Sequence, residues 1–148
     1  IIADEPTTAL DVTVQAQVLK LLNQLRHEQN SSLMFITHDF GVVAELCDRV
    51  AVMYAGELVE VGPVAEVLAR PVHPYTRRLI ACVPDVNRVA DRLTEIPGLP
   101  PKVNDLPVGC KFADRCDQVT DACRAAPVEL ETLTDSRQAR CIFAREVL

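Results

Sequence analysis

Apolar and polar positions in this chain follow two different periods before the pattern lapses. Val14, Val18, Leu21, Leu22 and Leu25 fall on one face of a 3.6-residue period, which predicts a helix over about 12–28. Asp11 stands where a carboxylate can cap its first turn. After the polar break Asn30–Ser31–Ser32 comes Leu33–Met34–Phe35–Ile36, a short continuous apolar run of the kind found in a strand covered on both faces. Ile1–Ile2–Ala3 reads as the end of another such strand, and a second helix is expected over about Phe40–Cys47. Arg49–Tyr54 is strand-like, Ala55–Gly56 predicts a turn, and Glu57–Leu58–Val59–Glu60–Val61 alternates like a return strand. Pro63 and Pro74 suit the first position of helices running to about Ala69 and Val83. Strand, helix, strand, helix and hairpin in that order predict an α/β layer architecture.

From Pro84 onward neither period continues. Pro97, Pro100, Pro101 and Pro107, with Gly98 and Gly109, predict a long irregular connection into a polar tail, so a boundary is expected near Pro84 between modules 1–84 and 85–148. Charge changes along the chain in the same sense. Residues 1–70 carry 4 basic and 10 acidic side chains, whereas residues 71–148 carry 11 of each, for a net charge of −6. Neither part has the clustered Lys/Arg surplus of a nucleic-acid binder, and no nucleic-acid partner is expected. The 49% hydrophobic and 4% aromatic content suits a soluble α/β protein. No apolar run approaches the roughly 20 residues that span a bilayer, so contact with a membrane is expected through a partner. The chain opens on Ile1 rather than Met, which leaves a signal peptide neither readable nor excluded.

Chemistry concentrates first at Asp4, Glu5, Asp11 and His38. Ligands of open α/β sheets bind beyond the carboxyl ends of the strands. An acidic pair at such an end suits a Mg²⁺ ion held through its water shell, beside a carboxylate that takes a proton from an attacking water. Taken alone, Asp4–Glu5 is as compatible with a solvated acidic loop. The context adds to it: Asp4–Glu5–Pro6–Thr7–Thr8–Ala9–Leu10–Asp11 precedes a helix and then a strand that ends in Thr37–His38–Asp39. Two successive strands would thus end in functional groups on the same side of a sheet.

The run D-E-P-T-x-x-L-D, followed by I-T-H-D, closely resembles the Walker B, D-loop and H-loop of ABC ATPases. The resemblance implies the C-terminal part of a P-loop NTPase domain. It implies that Asp4 coordinates Mg²⁺, that Glu5 is the general base, that Asp11 reaches across an ATP-sandwich dimer, and that His38 is the switch histidine. The same comparison shows no G-x-x-x-x-G-K-[ST] in this chain and no L-S-G-G-Q signature. Both precede Walker B in the family, so the chain is expected to be truncated and inactive towards ATP alone.

Thr13–Val14–Gln15–Ala16–Gln17, Arg49–Gly56 and His73–Pro74–Tyr75–Thr76 resemble the oligopeptide/dipeptide/nickel branch of ABC importers. Ile96–Pro97–Gly98–Leu99–Pro100–Pro101 and Gly109–Cys110–Lys111–Phe112–Ala113–Asp114–Arg115–Cys116, with Cys123 and Cys141, are similar to that branch's C-terminal extension. A common form of its motif has Pro where this chain has Lys111. The cysteine spacing, C-x5-C-x6-C-x17-C, matches neither zinc-ribbon pairs nor ferredoxin runs. Four thiolates brought together could hold a 4Fe–4S cluster or zinc, and the resemblance favours the cluster; metal-free thiols or disulfides remain a further reading. A structural role in pinning the tail is expected rather than redox catalysis. Cys47 and Cys82 sit in apolar patterns and are expected to be buried packing residues. His73, Tyr75, Arg77 and Arg78 could form a contact surface, but the first reading is a capped, solvated helix start. His27 reads as a favourable partner for the dipole at the end of its helix.

The resemblance implies an ATP-binding and ATP-hydrolysing subunit that energises peptide import. Its partners would be a second ATPase subunit, transmembrane permease subunits and, indirectly, an extracytoplasmic solute-binding protein. It would sit peripherally at the cytoplasmic face of the membrane. A non-transport ABC ATPase and a metal-binding regulatory fragment are the competing readings, and the solute itself is not legible.

Overall fold

A computed structural model describes residues 1–83 and 95–148. The expected boundary near Pro84 lies outside the described residues. Contacts divide the chain into two compact units, Ile1–Asp48 and Arg49–Leu148.

In the first unit, β1 (Ile2–Asp4) and β2 (Met34–Ile36) pair in parallel, with Ile2 opposite Met34 and Asp4 opposite Ile36. Parallel strands need a crossover, and α1 (Val12–Glu28) supplies it. The Asp11 carboxylate caps α1 by accepting the Val14 N–H at 2.9 Å. Asp39 does the same for α2 (Phe40–Leu46), taking the N–H groups of Gly41 and Val42. The expected bounds of α1 match, and β2 starts one residue later than the apolar run. The periodic face of α1 holds no buried residue, and Leu21, Met34 and Ile36 are exposed.

The second unit is built on an antiparallel sheet whose strands lie in the order β3 (Arg49–Tyr54), β4 (Glu57–Pro63), β6 (Gln138–Ala139) and β5 (Glu131–Thr132). β3 (Arg49–Tyr54) and β4 (Glu57–Pro63) form a hairpin through Ala55 and Gly56, both at positive φ (47° and 81°), as a two-residue turn between twisted strands requires. Pro63 ends β4 opposite Arg49 and stands at the N-cap of α3 (Val64–Ala69), so the return strand runs further than its alternation suggests. Pro74 is the first residue of α4 (Pro74–Ala81), capped by His73.

Among the described residues three short helical segments follow, a 3₁₀ turn at Ala113–Arg115, α5 (Asp121–Ala125) and α6 (Ala144–Val147), with β5 (Glu131–Thr132) and β6 (Gln138–Ala139) between the last two. β6 pairs with β4, placing Glu60 opposite Ala139. The tail is therefore less irregular than its composition suggests. It also has apolar packing: Phe112, 1% exposed, joins Val52, Tyr54 and Val59 in one core cluster. Val72, Ala139 and Ala144 form a second cluster. Among the described residues no helix is long and apolar enough to cross a membrane.

Candidate functional site

Two constellations of chemistry lie in the two units. In the first, the parallel register sets Asp4 and Ile36 side by side, so the residues that follow each strand emerge together. The Glu5 N–H donates to the Ile36 carbonyl at 2.9 Å, and Glu5 leaves the strand at φ 42°, a left-handed conformation uncommon for a residue with a Cβ. Its carboxylate then has two neighbours. The Thr8 hydroxyl donates to Oε2 at 2.8 Å, and His38 Nδ1 lies 3.4 Å from Oε1. Both hold the Glu5 carboxyl below its ordinary pKa, Thr8 most and His38 next. The lowered pKa keeps the group ionised further into acid, while lessening its affinity for a proton.

Asp4 stands exposed at the end of β1, and among the described residues its carboxylate takes no hydrogen bond or ion pair. Asp11 has one oxygen committed to its helix cap. Of the four residues singled out, the structure thus brings Glu5 and His38 into contact. Thr8 was missed as a participant, although its position three residues beyond Glu5 on a turn is within reach for a hydroxyl. Asp39 was also missed: besides capping α2 it accepts from Gln15 Nε2 at 3.3 Å, linking α1 to the end of β2.

In the second unit, Cys110, Cys116, Cys123 and Cys141 all line one largely apolar cavity of about 20 Å³. The chain crosses itself tightly to achieve this. The Cys110 N–H donates to the Cys123 carbonyl at 2.8 Å, and a Cβ on Gly109 would stand 2.2 Å from that carbonyl oxygen, so only glycine fits there. Lys111, the departure from the common motif, reaches the Pro107 carbonyl at 3.1 Å and lies 3.9 Å from Glu57. Arg115 ties the upstream connection to the hairpin: its guanidinium donates to the carbonyls of Pro97 and Ile96 and to the Tyr54 hydroxyl.

The thiols of Cys110, Cys116 and Cys141 are free, and burial pushes each above its ordinary pKa. Among the described residues no three His, Cys, Asp or Glu side chains form a ready ligand set for one metal ion. Cys47 and Cys82 are half-buried rather than buried, because they stand at the C-caps where α2 and α4 stop.

His73 overturns the solvated reading of its segment. It is 1% exposed, its Nδ1 accepts the Tyr75 N–H at 3.0 Å, and its ring shares the wall of the cysteine cavity. Burial lowers its pKa to about 4, so it is neutral. Behind it lies a buried ion pair. Glu60, fully buried, accepts the N–H groups of Val72 and His73 at 2.9 Å and Arg137 Nη2 at 2.6 Å. The Pro at position 74 was the available signal for His73, since the residue before a first-turn proline is a cap. Glu60 had none, because strand alternation assigns it to solvent.

Comparison with known proteins identifies relatives over nearly the whole chain. Residues 59–123 match the family described as oligopeptide/dipeptide transporter, C-terminal region. A protein of Brucella ovis named as a peptide import ATP-binding protein is 46% identical over 153 residues, covering 99% of this chain and 45% of the relative. A protein of Sinorhizobium fredii named as a peptide ABC transporter ATP-binding protein is 50% identical over 149 residues, covering 100% of this chain and 44% of the relative. The chain thus spans a little under half the length of these relatives. It belongs to the family of oligopeptide/dipeptide ABC transporter ATP-binding subunits.

Proposed function

We propose that the complete protein is the ATP-hydrolysing subunit of a peptide importer and that residues 1–48 carry part of its hydrolytic machinery. The observation that carries this is the approach of His38 to Glu5 across the paired ends of β1 and β2. Glu5, kept ionised by Thr8 and His38, accepts the proton of the attacking water. Asp4, exposed and unpaired among the described residues, is suited to hold Mg²⁺ through its water shell. His38 positions the water or the terminal phosphate, and Asp11 faces the second ATPase subunit from the start of α1. Residues 1–84 belong to the ATPase domain, and residues 85–148 are the family's extension. The relatives' names support peptide as the cargo; permease subunits, a solute-binding protein and a place on the cytoplasmic face of the membrane belong to the same proposal. The test is reconstitution of the full-length subunit with its permease and binding protein in liposomes. Short peptides are expected to stimulate ATP hydrolysis and to accumulate inside. Hydrolysis that ignores peptides would oppose the reading.

The four tail cysteines are read as holding a 4Fe–4S cluster. Their fit is chemical: four thiols line a single cavity with little other polar surface. Among the described residues no three of these side chains form a ready ligand set, so a cluster or a zinc ion would have to draw the thiols together. A bound cluster would cross-link Cys110, Cys116, Cys123 and Cys141 into one rigid knot. Because burial favours the protonated thiols, binding must release protons and weakens as pH falls. Anaerobically purified full-length protein is expected to be brown with about four irons per chain. Serine at any of the four positions should lower the iron, and serine at Cys47 or Cys82 should not. One zinc in a colourless protein would replace the cluster.

A further inference from the structure

The His38 side chain is 79% exposed, and its one side-chain hydrogen-bond partner among the described residues is Glu5, at 3.4 Å. Little packing surrounds an imidazole so open to solvent, so its direction depends on the backbone that carries it. That backbone is pinned. The Asp39 N–H donates to the Thr37 hydroxyl at 3.0 Å, a bond that spans His38. Asp39 Oδ1 then accepts the Gly41 N–H at 2.8 Å and caps α2. A Cβ on Gly41 would stand 3.1 Å from that oxygen, so the cap fits closely.

Capping a helix takes one side-chain oxygen. The second oxygen of Asp39, Oδ2, accepts Gln15 Nε2 at 3.3 Å from α1, a separate element. The Gln15 N–H in turn donates to the Asp11 carbonyl at 2.9 Å in the first turn of that helix. A closed circuit results. It runs from Glu5 through Thr8 and the turn to Asp11 and Gln15, across to Asp39 and His38, and back to Glu5. The bond between Gln15 and Asp39 is exposed and adds little to the stability of the fold. Its consequence is geometric: it fixes the Asp39 side of the His38 turn against the helix into which the Glu5 segment leads.

We propose that Gln15 is a positioning residue for His38, acting through the Asp39 carboxylate to hold the imidazole against Glu5; this rests on the roles given above to Glu5 and His38. The amide donates to the carboxylate without bringing a further charge to the site. Hydrolysis depends on placement as much as on the groups themselves, because a catalytic group out of place by about 1 Å can cost roughly 100-fold in rate. Gln15 and Asp39 thus set where the imidazole stands, while Glu5 and His38 meet the water and the phosphate.

The test is single-turnover ATP hydrolysis by the reconstituted full-length importer, measured for the parent, Gln15→Leu, His38→Ala and the two together. Leucine suits a helix and removes the donor. Gln15→Leu is expected to slow the parent by roughly tenfold, within the loss that misplacement can bring, with nucleotide affinity unchanged. In the His38→Ala background it should add nothing, whereas a merely structural role would slow both backgrounds alike. Gln15→Glu sets two carboxylates against each other and should also be slow. Combining it with Asp39→Asn reverses donor and acceptor, keeps a cap for α2 and should restore the rate. Parental turnover in Gln15→Leu, an equal loss in the His38→Ala background, or no recovery in the exchanged pair would overturn the proposal and leave His38 its role. Parental turnover in His38→Ala would instead remove the role of His38, and that of Gln15 with it.

Discussion

Glu5 combines three features that rarely coincide in an idle surface residue: a left-handed backbone, a hydroxyl donor from Thr8 and an imidazole from His38. A non-glycine residue in this conformation persists only where its surroundings hold it, and here the Ile36 carbonyl does so through the Glu5 N–H. The sign of the electrostatics follows. A hydroxyl that donates to the carboxylate stabilises the ionised form, so its removal must move the pKa back up towards the ordinary glutamate value. Thr8→Ala is therefore expected to raise the Glu5 pKa, seen by site-specific carboxyl NMR titration, with a smaller rise for His38→Ala. No change in Thr8→Ala would mean that the hydroxyl does not hold Glu5 in solution. In the complete enzyme the same variant should shift the acid limb of turnover to higher pH, since protonated Glu5 accepts no proton.

At the scale of elements, what was legible depended on how much periodic signal each carried. The five apolar positions of α1 and the six-residue β3 announce themselves. β5 and β6, of two residues each, carry no period, and they exist because β4 offers them an edge. Phe112 is a single aromatic in a polar stretch, and its burial depends on Tyr54 and Val59 from a hairpin more than fifty residues earlier. The candidate site divides in the same way. The motif runs marked Glu5, His38 and the four cysteines, and Pro74 marked His73 as a cap, while Thr8 became visible only through its partner.

Glu60 joins β4, the segment before α4 and the entry to β6 through one carboxylate. Replacing one partner of a buried pair leaves the other charge stranded and typically costs about 3–5 kcal/mol. Glu60→Ala is expected to lose stability of that order in urea unfolding. The double replacement Glu60→Leu with Arg137→Met should recover part of it. Equal losses in the single and double variants would show that packing, not the stranded Arg137 charge, sets the cost.

Across the molecule, each unit carries one of the two constellations of functional groups. The first unit brings the carboxylates of Asp4 and Glu5 and the His38 imidazole to the ends of two parallel strands. The second supplies a four-thiol cavity held by a hairpin, a buried ion pair and a glycine crossing. The central claim is that Glu5 takes the proton of the water that attacks ATP. Single-turnover hydrolysis by the reconstituted full-length importer, comparing the parent with Glu5→Gln, tests it most directly. The amide cannot accept that proton, so the rate is expected to fall by roughly 10²–10⁴-fold while nucleotide binding stays close to that of the parent. A Glu5→Gln importer that hydrolyses bound ATP at the parental rate would contradict it.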